Sequence, residues 1–420
     1  MWKYKCRNQF FMLLTGFVAG FLMAVAFNTS EMVQELFADT LPEQVLVTLK
    51  ANPMLINVSA GLGFAGLTNI FLLGNLVSNY YPGSVFLFML AVIMIPEYAM
   101  MIGILLVPVS LVVTLYGWIS LRHSISKQLK AAGVSGDQEI VAKILEKEPL
   151  DPKYQQLGLE TRKTVNRVNI AYFLGLVAIF CVMFFLENLF VVLILLFVCI
   201  GAFQYLARIR STCFSTISSL LVNDCNPRAC LSALLYYAKH GSKYRLKNRA
   251  LLAQSLIYLD MPKLASDVLI EFPRSNQNNI LAYCSLMGNI DYMLKDEAGL
   301  QECKDQIAKA RPQMGAMGMM IKSEELASVE NRIRLIKGDF NTCKKYFLRV
   351  AQATGSNLQK TECYYYIALI SFVQEDYVVA KMYFEKTIQI GNQTYFVNNA
   401  KSYLSKIDTV PEIETDDYYA

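Results

Sequence analysis

Two carboxylates, Glu97 and Glu187, stand inside otherwise apolar sequence. An ionised group at membrane depth is costly to bury, so each is a candidate contact for an ion or a substrate unless water reaches it. Glu97 follows Pro96 at a break in one apolar run, and Glu187 sits beside Asn188 in the middle of another. Other reactive chemistry is sparse. The chain has no H-E-x-x-H, no G-x-x-x-x-G-K-[ST] and no G-x-S-x-G. Ser124-Ile-Ser-Lys127 fits S-x-x-K without any companion motif. Gly61-Leu-Gly63-Phe-Ala-Gly66 matches the dinucleotide-binding pattern letter for letter, but no strand precedes it and the surrounding sequence is apolar, so it reads as a close helix-packing face. An intramembrane serine protease needs a histidine base within the membrane. Both histidines, His123 and His240, fall outside the apolar runs. The ten cysteines form no C-x-x-C and fit neither a disulfide framework nor a zinc site, so they read as reduced core thiols. No catalytic, cofactor-binding or metal-binding residue is assigned.

The elements that would position Glu97 and Glu187 are membrane helices. Over 420 residues the chain is 54% hydrophobic with a mean hydropathy of +0.33, averages that conceal an apolar first half and an ordinary soluble second half. A span needs roughly 20 apolar residues. Apolar runs place spans at about 9–27, 54–77, 84–97, 99–121, 169–186 and 189–207. The pair around Pro96 also fits a re-entrant hairpin, and Ala24-Val25-Ala26 leaves cleavage of the first run open. Gly16, Gly20 and Ala24 form a small-residue face that suits packing against the glycines of the second span.

Charge sets the orientation. Lys3, Lys5 and Arg7 flank the first span on one side, and Glu31, Glu35, Asp39 and Glu43 follow it on the other. The 122–168 loop carries nine Lys or Arg against six acids, and Arg208 and Arg210 follow the last span. By the positive-inside rule these agree on six spans with both termini in the cytoplasm of a bacterial-type plasma membrane. A net charge of +5, not gathered into a tail, argues against nucleic-acid binding.

From 211 to 408 the sequence reads as short amphipathic helices without strand-like alternation, followed by an acidic 409–420 tail. Tyr364, Ile367, Ala368, Glu375-Asp376-Tyr377, Ala380, Phe384 and Thr387 resemble a tetratricopeptide repeat, and Gly338-Asp339-Phe340, Cys343, Phe347 and Val350 echo its second half 37 residues earlier. A fainter copy runs from Leu252 to Leu269, with Gly288-Asn289 as another turn. The stretch from Met314 to Met320 reads as an irregular loop or a ligand-facing insertion. The fold expected is all-α: a polytopic membrane domain, 1–210, followed by a TPR-like cytoplasmic solenoid. The resemblance implies a surface that binds a peptide or a partner protein, and such repeats seldom catalyse.

Lys239, His240, Lys243, Arg245, Lys247 and Arg249 form a basic run close after the membrane, readable as an anionic-lipid patch or as a solvated turn. The function expected is a membrane anchor or assembly scaffold without catalysis. Its partners would be the lipid bilayer and an unidentified protein, with homo-oligomerisation left open. The alternative is a transporter component whose path runs past Glu97.

Overall fold

Apolar residues at helical spacing and turn residues between them produce a chain that is helical almost throughout. The structure, a computed structural model, describes residues 1–29, 52–80, 96–185, 189–312 and 315–408. Sixteen α-helices and one two-stranded hairpin are found among them. The chain packs as two units. One comprises Met1–Gln128, Pro273–Ala282 and Gln306–Ser323, and the other Leu129–Phe272, Tyr283–Asp305 and Glu324–Ala420.

In the first unit, α1 (Trp2–Thr29), α2 (Pro53–Tyr80) and the first part of α3 (Pro96–Ala131) approach one another through glycines. A Cβ on Gly20 would lie 2.4 Å from the Ala60 carbonyl oxygen, and one on Gly103 would lie 2.5 Å from that of Gly66. Gly61 receives the Phe17 ring and Gly66 receives Ile104, so two of the three glycines in the dinucleotide-like stretch serve helix contact. Two helical stretches among the described residues, Trp2–Val25 and Met101–Ala131, are long and apolar enough to cross a membrane. Their outward faces are apolar too: Leu22 is 59% exposed, Leu105 73% and Val112 68%. The expected spans at 54–77, 169–186 and 189–207 also fall largely or wholly within helices, whereas 84–97 lies almost entirely outside the described residues.

The second unit departs from expectation first in the stretch 122–168, which is not a loop. After α3 ends at Ala131 come α4 (Asp137–Lys147), a 3-10 turn (Pro152–Tyr154) and α5 (Gln155–Phe185). The reason is a buried apolar stripe, Ile140, Val141 and Ile144, which packs onto later helices rather than facing water.

Helices α6 (Leu189–Val222) to α15 (Tyr377–Gly391) then form five antiparallel hairpins: α6–α7 (Pro227–Ala238), α8–α9 (Arg249–Ile257, Pro262–Leu269), α10–α11 (Gln277–Leu294, Glu297–Lys309), α12–α13 (Gly315–Ile336, Phe340–Ala353) and α14–α15 (Asn357–Val373, Tyr377–Gly391). Each turns in the same way. A residue in the left-handed conformation ends the first helix: Cys225, Asp260, Lys295, Gly338 and Glu375, at φ between 45° and 85°. The next N–H reaches back to a carbonyl in the last turn, as in Asp376 to Ser371 at 2.9 Å and Asp296 to Asp291 at 2.8 Å. Asn226, Asp339 and Asp376 then cap the following helix with their side chains. The left-handed positions 225, 260, 295, 338 and 375 are spaced by 35, 35, 43 and 37 residues.

Three sequence expectations change here. Gly288-Asn289 is no turn but lies within α10, with the turn seven residues later at Lys295. From Gly315 onward the Gly/Met stretch is helix, because methionine is a good helix former. Residues 239–244 form a β-hairpin, with Lys239 opposite Tyr244 and Gly241 at φ 62 in the turn.

The array also turns back on its start. Gln393 N–H donates to the Cys225 carbonyl at 3.2 Å, Tyr395 N–H to Tyr258 at 3.0 Å and Asn357 Nδ2 to Asn223 at 2.8 Å. In an open solenoid each repeat touches only its neighbours. Here the last hairpin and α16 (Tyr395–Ile407) meet the first two turns.

Candidate functional site

Closure leaves a polar cavity of about 620 Å³ within the array, lined from α6, α8, α10, α12, α13 and α14. Its wall is built around Arg332. The Arg332 Nη2 pairs with Glu362 Oε1 at 3.0 Å and also donates to Asn289 Oδ1, while Nη1 donates to the Ser328 hydroxyl. On the other carboxylate oxygen, Glu362 Oε2 accepts from the Tyr258 hydroxyl at 2.9 Å. Five side chains, from the C-terminal end of α8 and from α10, α12 and α14, are thereby joined across the array. The Arg332 and Glu362 side chains are only 11% and 15% exposed.

Burial and charge set the protonation states. Burial pushes the Tyr258 phenol well above its ordinary value, and the neighbouring Glu362 charge pushes it further, so it remains a neutral donor. For Arg332 burial works against the charge, but Glu362 and the surrounding phenols outweigh it and the guanidinium is held more firmly protonated. Glu325, on the same wall, has its carboxyl raised by burial, opposed by a hydrogen bond from Ser285. Arg349 lies over the Tyr346 ring at 5.6 Å on the exposed side. The cavity thus offers fixed hydrogen-bonding groups, aromatic edges and charges of both signs. Such a lining suits a polar segment of polypeptide.

The residues singled out in the sequence are dispersed. Glu97 is the second residue of α3 with its side chain outside the described set, and Glu187 lies outside the described residues altogether. Ala368, Ala380 and Phe384 are fully buried at the α14–α15 crossing, the packing their spacing implied. Tyr377 meets Phe372 edge-on at 5.6 Å, and Tyr364 lies beside Tyr383 at 5.7 Å while Tyr365 and Tyr366 face the core.

The basic run divides. Lys239, Lys243, Arg245 and Lys247 are exposed, whereas Arg249 must be withdrawn from a surface patch. Its side chain is 6% exposed, paired with Asp137 at 2.6 Å and with Glu271, and it donates to the Val268 carbonyl at 2.9 Å. The sequence reading missed Arg332, Glu362, Asn289 and Tyr258, which share no local motif. The one available signal was a charged residue at helical spacing from apolar ones, Arg332 between Val329 and Leu335 and Glu362 between Leu358 and Tyr366. No known protein family, no curated protein and no solved structure matches the chain.

Proposed function

We propose that the chain is a multi-pass membrane scaffold whose TPR-like helical array holds an extended segment of a partner protein, without catalysis of its own. In this reading the six apolar stretches span a bacterial-type plasma membrane with both termini in the cytoplasm. Support for the membrane part comes from the outward apolar faces of α1 and α3, from Phe173 and Tyr205 at 66% exposure on α5 and α6, and from the basic stretches beside them. Support for the array comes from five hairpins with one turn geometry at near-regular spacing. The observation that carries the binding reading is the polar cavity with the Arg332–Glu362 pair in its wall.

A photocrosslinking amino acid in place of Gln359, an exposed residue lining the cavity, tests this in native membranes. The control position is Glu385, exposed on α15 and absent from the lining. A discrete adduct from Gln359 that is missing from Glu385 is the expected result. Identical adduct patterns from both positions overturn the binding reading. Truncation after Arg210 would not serve, because it cuts α6 before the Cys225 turn.

A further inference from the structure

The four exposed cations that remain of the basic run are carried on a rigid device. Strands Lys239–His240 and Lys243–Tyr244 pair in antiparallel register, and the Leu246 N–H is held by Asp137 Oδ2 at 2.8 Å. Arg162 of α5 donates to the Lys239 carbonyl, and Gln138 of α4 donates to that of Ser242 at 3.4 Å. Asp137, which holds the Leu246 N–H, and Glu271 are both paired with Arg249. Lys239, Lys243, Arg245 and Lys247 therefore point their charge outward with no ion pair among the described residues.

Two independent rulers give the height of this hairpin above the apolar stretches. Along α5, Arg162 precedes Asn169, where the apolar tract begins, by seven residues, or about 10 Å at 1.5 Å per residue. Along α6, Phe214 follows Ala207, where the tract ends, by seven residues, again about 10 Å, and its ring meets Tyr237 edge-on at 5.2 Å. Tyr237 lies two residues before Lys239. The fold explains the agreement: α6 runs away from the apolar tract to Val222, and α7 returns antiparallel to it, bringing Tyr237 back within the field of Arg210.

We propose that this hairpin docks on anionic phospholipid headgroups at the surface of the membrane that α5 and α6 enter. The inference rests on the spanning reading given above. The headgroup layer extends roughly 5–8 Å beyond the hydrocarbon core, so a hairpin about 10 Å above the apolar tract leaves a gap that Lys and Arg side chains bridge, and the separation is comparable to the physiological screening length of about 8 Å. The docking would fix the array's first hairpin against the bilayer and so orient the cavity relative to it.

The test uses the full chain in lipid nanodiscs, with a fluorescent amino acid replacing Ser242 at the hairpin tip and a nitroxide on a fraction of the lipid headgroups. Discs of phosphatidylcholine alone are compared with discs containing phosphatidylglycerol. A second version carries the probe at Asn169 and reports whether α5 enters the membrane at all. The expected result is Asn169 quenching in both discs, and Ser242 quenching only where phosphatidylglycerol is present and lost at high salt. Each cation removed among Lys243→Gln, Arg245→Gln and Lys247→Gln should lower the docked population ratio roughly fivefold. Because these side chains are exposed, the variants leave the core intact. Ser242 quenching indifferent to lipid charge, or unchanged in the triple variant, overturns the docking while the spanning reading stands. Absence of quenching at Asn169 overturns both.

Discussion

The two units differ in the contacts that dominate where their helices cross. In the first, helices α1, α2 and α3 meet where side chains have been removed, with backbone against backbone at Gly20, Gly66 and Gly103. In the second, helices meet through large groups: Phe347 stacked on Tyr366 at 5.0 Å, Phe384 parallel to Tyr403 at 5.3 Å, and the Arg332 pair. Under the spanning reading proposed above, the difference follows from solvent. Burying an aromatic ring removes area from water and stabilises a soluble core by roughly 25 cal/mol per Å². Between helices with apolar outer faces that term is weak in lipid, and close packing and dispersion take its place. In that reading, the glycines of α1–α3 and the aromatics of the helical array answer one packing problem in two media.

The largest break in this comparison is expected at Arg332. Removing one partner of a buried ion pair leaves the other charge uncompensated and costs about 3–5 kcal/mol. Slight exposure of both side chains places Arg332→Ala near the lower end, about 3 kcal/mol, measurable as a fall in thermal midpoint of the full chain in detergent. The double variant Arg332→Met, Glu362→Gln should recover most of that loss. If the single variant melts like the parent, the pair is not a keystone of the second unit.

Next comes Asp291, whose burial pushes its carboxyl up to about 6. An acid whose folded value is raised binds its proton more tightly when folded. Its contribution is therefore fully present below the unfolded value near 4 and is lost as pH rises through 6. Asp291→Asn should flatten the stability profile between those limits and gain roughly 2 kcal/mol at pH 7, read from melting curves across that range. A parallel loss in the variant would contradict the assignment. The analogous scan for the first unit is Gly103→Ala against Gly63→Ala. A Cβ at Gly103 collides with the Gly66 backbone, whereas one at Gly63 meets nothing within 4 Å. Overpacking of about 1–3 kcal/mol is expected for Gly103→Ala and none for Gly63→Ala. Equal behaviour of the two would mean that α2 and α3 do not meet through glycine.

The same contrast decides what was readable beforehand. Apolar runs and glycine faces are local signals, so Gly16, Gly20 and Gly61 announced helix contacts directly. The α14–α15 hairpin was legible because Ala368, Ala380 and Phe384 lie within 17 residues and all sit at one crossing. Upstream, α8–α9 was legible only as a faint copy and the turns after α6 and α10 were missed, because these turns use Cys225, Asp260 and Lys295 in place of glycine, while a real glycine, Gly288, sits in mid-helix. Arg249 looked like its neighbours because its acid, Asp137, is 112 residues away. Arg332 and Glu362 are 30 residues apart, and only closure of the array brings Tyr258 to them.

The smallest effect tests whether the five turns are one device. A non-glycine residue in the left-handed region costs roughly 1–2 kcal/mol relative to its preferred conformation, and glycine does not bear that cost. Glu375 adopts φ 63 at the turn where Gly338, one hairpin earlier, adopts φ 81. Glycine is looser in the unfolded chain, which offsets part of the gain. Glu375→Gly should therefore stabilise by somewhat under 1 kcal/mol, and Gly338→Ala should destabilise by about 1 kcal/mol, both read from the thermal midpoint. Opposite signs at these two positions would follow only if both turns use the same left-handed geometry. Destabilisation by Glu375→Gly would mean that its side chain, rather than its backbone, is what the turn between α14 and α15 requires.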